Sequence, residues 1–144
     1  MKLLFKKLNP NAHTPTYGSP YSAGADLYSV DDTVSIAPGE SRLMHTGIAV
    51  EIPMGYVGLV YARSGLAAKR GLAPANKVGV IDADYRGEIM VCLHNHSNKE
   101  QIVEAGERIA QMVVAPFLTC EYEETDELSE TVRGEGGFGS TGTK

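Results

Sequence analysis

Short runs of β-branched and aromatic residues, each closed off by a turn signal, restrict this chain more than anything else in it. Leu3–Leu8, Thr33–Ile36, Ile48–Ile52, Tyr56–Tyr61, Lys77–Ile81, Ile89–His94 and Ile109–Pro116 are such runs. Pro38-Gly39, Pro53-Met54-Gly55 and Glu104-Ala105-Gly106 punctuate them, and residues of these types preset the dihedrals that reverse a chain. The spacing predicts an all-β fold, a jelly-roll-like sandwich or barrel, in preference to alternating β-α units. Only Ser64–Arg70 has helix-forming composition, with Ser64 in the N-cap position and Gly71 as the stop. That segment allows at most one short helix.

At 144 residues the chain has the usual size of a single domain. A net charge of −5 argues against bulk nucleic-acid binding, which needs a basic surface, but leaves room for a small anion held by a few local cations. No apolar run approaches a membrane span, and Met1–Lys7 lacks the apolar core of a signal peptide, so a cytoplasmic location is expected. Cys92 and Cys120 form neither a metal motif nor a disulfide framework, and their apolar surroundings predict buried free thiols. Glu121, Glu123, Glu124, Asp126, Glu127 and Glu130 concentrate the acidic excess. Residues 121–132 therefore read as a solvated tether between a β-rich domain, 1–120, and a Gly-rich segment, 133–144.

That last segment, Arg133 to Lys144, cannot pack into a core. Its glycines permit close approach to a ligand. It also carries an anion fork (Arg133), an aromatic plate (Phe138) and two hydroxyls (Ser140, Thr141). A Gly-rich terminus without a role has the same composition; a flexible lid over a nucleotide uses all of it. A phosphate-binding P-loop is excluded, because Thr143-Lys144 follows Gly142 where Lys-Ser/Thr is required.

Four further segments offer chemistry. In Gly79–Glu88, between two apolar runs, the residues read as a hairpin. Turn chemistry explains its Asp and Gly residues, but Asp82 directly after Val80-Ile81 is also a carboxylate held at a strand end, suited to a general base, with the flat face of Tyr85 beside it. Ala23-Gly24-Ala25-Asp26-Leu27 sets an acid after small residues; on its own it reads first as an Asx turn, and otherwise as a carboxylate near Mg²⁺, which takes one or two protein acids plus substrate phosphates. Arg63-Ser64-Gly65 lies where a strand gives way to the helical segment, a setting that attracts phosphate. Gln111, in Gly106–Gln111, either donates to a phosphate or faces solvent from a strand. The histidines show no metal-ligand spacing, and His94 and His96 are expected to face solvent.

Taken in order, these five segments resemble the five motifs of the homotrimeric deoxyuridine triphosphatases (dUTPases). The matching stretches are Ala-Gly-Ala-Asp-Leu (23–27), Arg-Ser-Gly (63–65), Gly-Val-Ile-Asp-Ala-Asp-Tyr-Arg-Gly-Glu (79–88), Gly-Glu-Arg-Ile-Ala-Gln (106–111) and Arg-Gly-Glu-Gly-Gly-Phe-Gly-Ser-Thr-Gly (133–142). The resemblance implies a β-rich jelly roll and a C₃ trimer with active sites shared between subunits. It also implies hydrolysis of dUTP to dUMP and pyrophosphate, limiting uracil in DNA and supplying a thymidylate precursor. By the same resemblance Asp82 would orient the attacking water, and Tyr85 would pack against deoxyribose and exclude a 2′-hydroxyl. Asn76 would read uracil, with Phe138 stacking on it. Arg63, Ser64, Gly65 and Gln111 would bind the triphosphate, Arg133, Gly139, Ser140 and Thr141 would close on its far end, and Asp26 would hold Mg²⁺ through water. Ala62 stands where many members have Pro, which predicts only a local backbone difference. The related dCTP deaminases share the fold but activate water differently, and no Cys/His zinc site is apparent.

Overall fold

Every run named above carries a strand in the computed structural model, which describes residues 1–138. In chain order the elements are β1 (Leu4–Lys7), β2 (Thr16–Tyr17), β3 (Ala25–Tyr28), β4 (Val34–Ile36), β5 (Ser41–His45), β6 (Ile48–Glu51), β7 (Tyr56–Tyr61), the helix α1 (Ser64–Arg70), β8 (Leu72–Pro74), β9 (Gly79–Ile81), β10 (Met90–Asn95), β11 (Gln101–Val103) and β12 (Arg108–Pro116). The fold is all-β, as the spacing predicts. β2, β3, β5, β8 and β11 were not among the expected runs. Most are short or polar, and pairing rather than intrinsic preference makes them strands.

All strand pairs are antiparallel. The largest sheet has the order β2-β3-β12-β7-β9, a second has β5-β10-β8, and β11-β4 and β1-β6 form two-stranded ribbons. Leu27, Val60 and Met112 from the first sheet meet Met44, Val91 and Leu93 from the second, with Ile36, Ile48 and Val103 from the ribbons, in one buried cluster. Burying each Leu, Ile or Val stabilises by about 1.5–3 kcal/mol. A one-residue slip of any strand would turn that set outward, so the core also pins the register of the site.

Three local expectations are corrected. Arg63, not Ser64, is the N-cap of α1 and makes no side-chain cap bond; Ser64 is the first helical residue. The stop is as expected, with Gly71 left-handed at φ 67°. The expected 79–88 hairpin does not zip: β9 pairs with β7, while β10 pairs with β5 and β8. The turn residues between them make a corner between two sheets. Finally, Cys120 is exposed and Cys92 only half-buried, because Cys120 lies beyond the last strand and Cys92 lines an open slot.

No helix among the described residues is long and apolar enough to cross a membrane. Residues 117–138 contain no helix or strand. Gly139, Ser140 and Thr141 lie outside the described residues.

Candidate active site

The register of the five-stranded sheet sets Thr16, Asp26, Gln111 and Tyr61 side by side on adjacent strands. Residues directly opposite in an antiparallel ladder point to the same face. Asp26 therefore sits within β3, not in a turn, and is 7% exposed. Arg63 Nε donates to Asp26 Oδ1 at 2.8 Å, and Arg108 Nη1 donates to Asp26 Oδ2 at 3.1 Å. Both guanidinium groups are thereby aimed by one carboxylate.

Arg108 was not foreseen as a site residue. It stands three residues before Gln111, and in a regular strand it would face the other way. A register shift between Arg108 and Ala110 sets Arg108 opposite Tyr28, two residues from Asp26 and on its face. That bulge brings the second arginine into the site. Alternation along the sequence carries no sign of it.

Gln111 is half-buried, and its Nε2 donates to the Ala62 carbonyl at 2.9 Å. Its side chain lies across Gly24, where an added Cβ would come within 2.9 Å of Gln111 Cδ. A side chain at 24 would push the Gln111 amide out of this position. Together with Ser64 and Gly65, these residues line an open cleft of about 660 Å³ whose charged members are Asp26, Arg63 and Arg108. Two cations against one anion give the cleft a positive excess on an acidic chain. As the second residue of α1, Gly65 has a backbone N–H with no acceptor inside the helix, and a Cβ there would meet nothing within 4 Å. Arg70 anchors the far end of α1 to Glu107 and to the Ile102 carbonyl, holding the helix against the start of β12.

Asp82, Tyr85 and Asn76 come together elsewhere. They line a pocket of about 300 Å³ with Val80, Glu88, Met90 and Cys92. β9, an edge strand with a ladder partner only in β7, lines it on one side, and β10, the middle strand of its own sheet between β5 and β8, lines the other. The free backbone edge of β9 is available there to a flat polar ligand. The Asp82 carbonyl accepts from Tyr85 N at 3.2 Å, closing a turn, while its carboxylate makes no hydrogen bond among the described residues. Tyr85 is 41% exposed and donates its hydroxyl to the Glu88 carbonyl at 2.9 Å.

The two constellations do not meet within the chain. β9 runs antiparallel to β7 with Ile81 opposite Gly58, so Asp82 lies beside Val57. Arg63 follows the other end of β7, six residues away, or roughly 20 Å at the rise of an extended strand. Arg133 and Phe138 are exposed and reach neither constellation, with Phe138 left-handed at φ 51°.

Glu88 also ties the pocket to the β5–β6 corner. Its Oε1 accepts from Gly47 N at 2.7 Å and its Oε2 pairs with His45 Nδ1 at 2.9 Å. The hydrogen bond that His45 gives to Glu88, aided by the charges of Glu88 and Asp31, outweighs burial and raises the His45 pKa above its ordinary 6.5. For Glu88, burial pushes upward, but His45 and the backbone N–H groups of Gly47 and Thr46 outweigh it and lower the pKa below 4.5. A raised histidine adds stability below its unfolded pKa and loses it as pH rises through the folded value; a lowered carboxylate adds stability above its unfolded pKa and loses it as pH falls. The pair should therefore stabilise most between pH 4.5 and 6.5. Thermal midpoints of wild type and Glu88→Gln across pH 4–9 are expected to differ most in that window and to differ less above neutrality, where the His45 share is lost and the Gly47 and Thr46 share remains. A pH-independent difference would exclude the ion pair as its source.

Among the described residues no group of three or more His, Cys, Asp or Glu could hold a metal ion. His96 is exposed and His94 half-buried, with Nδ1 2.8 Å from Ser41 Oγ.

The dUTPase family model matches residues 10–142. A deoxyuridine 5′-triphosphate nucleotidohydrolase of Hydrogenobaculum sp. is 55% identical over 144 residues, covering 100% of both chains. One from Nautilia profundicola is 52% identical over 142 residues, covering 99% of each. Among solved structures, the dUTPase of Staphylococcus bacteriophage 80alpha with dUPNHPP superposes with a TM-score of 0.91 at 34% identity, covering 99% of each chain.

Proposed function

The chain belongs to the dUTPase family, and from that premise we propose that it hydrolyses dUTP to dUMP and pyrophosphate by attack of water on the α-phosphorus. Water oxygen bonds to that phosphorus, the bond to the α–β bridging oxygen breaks, pyrophosphate leaves, and the water proton passes toward the Asp82 carboxylate. The observation that carries this mechanism is the division of labour between the two pockets. One has cations and no uncommitted carboxylate; the other has an uncommitted carboxylate and no cation among its lining residues.

Arg63, Ser64, Gly65 and Gln111 bind the triphosphate, with Arg108 as a further cation. Asn76 and the open edge of β9 read uracil, and Tyr85 closes the 2′ side of the sugar. Positioning and charge neutralisation are most of what phosphoryl chemistry asks of a protein. Asp26 gives both oxygens to arginines, so it would hold Mg²⁺ only through water and alongside the substrate phosphates. Bound there, Mg²⁺ would neutralise charge developing on the phosphate oxygens.

Since roughly 20 Å separates Asp82 from Arg63 within one chain, the complete site takes each from a different copy. A closed C₃ ring does this three times over. Residues 133–144 then close on the nucleotide, with Phe138 over uracil and Arg133, Gly139, Ser140 and Thr141 at the γ-phosphate. The product serves thymidylate synthesis, and its formation keeps uracil out of DNA.

Pyrophosphate release should be rapid from dUTP with Mg²⁺ and fall by orders of magnitude with dCTP, dTTP or UTP, or with chelator. Equal turnover of UTP would refute the role of Tyr85. Ammonia release from dCTP would move the chain to the deaminase branch.

A further inference from the structure

We propose that Gly87 and Glu88 are specificity-determining positioning residues, which hold the Tyr85 ring where it can exclude a ribose; the inference rests on the reading of Tyr85 given above. The ring is confined from two sides. A Cβ on Gly87 would lie 2.5 Å from Tyr85 Cζ and 2.9 Å from Cε2, so the ring rests on the bare Gly87 backbone. Its hydroxyl is fastened to the Glu88 carbonyl at 2.9 Å. That carbonyl belongs to a residue whose side chain is itself tethered. Glu88 Oε1 holds Gly47 N at 2.7 Å and Oε2 holds His45 Nδ1 at 2.9 Å. The corner they grip is fixed in turn, since Thr46 Oγ1 donates to the Ile89 carbonyl at 2.5 Å and Ile89 N to the Ile48 carbonyl at 2.9 Å. Ile89 is fully buried.

The turn from Asp82 to Tyr85 fixes the backbone beneath the ring, so only the side chain can yield when space is taken away. A steric wall discriminates only as well as it is held, because a ring free to swing admits the larger sugar. Gly87 is not among the glycines with positive φ, so alanine fits its backbone and displaces the ring without straining the chain.

The experiment is the ratio of kcat/KM for dUTP to that for UTP in wild type, Gly87→Ala, Glu88→Ala and Glu88→Gln, with dCTP as an internal control. Gly87→Ala is expected to cut the dUTP/UTP ratio by about tenfold or more, with the dUTP/dCTP ratio held, since the base is read by Asn76 and not by the Tyr85 ring. Glu88→Ala should act in the same direction. Glu88→Gln keeps an acceptor for Gly47 N–H and should recover most of that loss. An unchanged dUTP/UTP ratio in a folded Gly87→Ala enzyme overturns the assignment, as does a parallel loss of discrimination against dCTP. A wild type inert toward dUTP, or one that accepts UTP equally, instead overturns the underlying reading and this inference with it.

Discussion

Asp82→Asn is expected to lower kcat for dUTP by about 10²- to 10⁴-fold, the usual contribution of a positioned general base, while dUTP still binds within a few-fold of wild type. The Asp82 side chain is exposed and its carboxylate bonds to nothing among the described residues, so the amide leaves no partner stranded. Stability should shift by no more than about 0.5 kcal/mol, as for other surface substitutions without a partner. Asp26 offers a contrast, because removing its charge strands two arginines and would confound any reading of rate. The informative measurements are single-turnover rate and nucleotide affinity on the same preparation. Retained turnover would pass the base role to another group, and lost binding would make Asp82 a ligand first.

The elements that carry the chemistry were legible in the sequence to very different degrees. β7 was readable to its ends, because Tyr56–Tyr61 is a run rich in β-branched and aromatic residues, bounded by Pro53-Met54-Gly55 and by Arg63-Ser64-Gly65. β3 was not. Ala25-Asp26 reads as turn chemistry, yet it is a buried strand because β2 and β12 flank it on either side. Small residues there serve a contact invisible along the chain, the passage of Gln111 over Gly24. Arg108 escaped notice for a related reason. Its face is decided by one bulged residue, and a one-residue change of phase is a property of the pairing, not of either strand alone. The open slot between β9 and β10 follows the same logic. Turn residues announced a reversal, but whether its arms zip or splay depends on β7, β5 and β8 offering better partners.

Mixing two inactive variants tests the proposal that no single chain owns a complete site. Arg63→Ala removes a cation from the cleft and Asp82→Asn disables the other pocket, so each homo-oligomer should be nearly inert. Denaturing and refolding them together in equal amounts lets subunits assort at random in a closed ring. A site drawing Asp82 from one subunit and Arg63 from its neighbour is then intact when the first is the Arg63 variant and the second the Asp82 variant. Each condition holds about half the time, so about one quarter of wild-type activity should return. If both groups served the same chain, every site would keep a lesion and mixing would restore nothing. The roughly 20 Å that separates Val57 from Arg63 along β7 argues for the first result. No mononucleotide triphosphate presents its α-phosphorus to Asp82 and to Arg63 of one chain across that span. Recovery near one quarter, with each parent inert before and after the same refolding, would establish the shared site in solution. Zero recovery from well-folded mixed oligomers would require β7 to bend far from its observed course, or a different cation to take the place of Arg63.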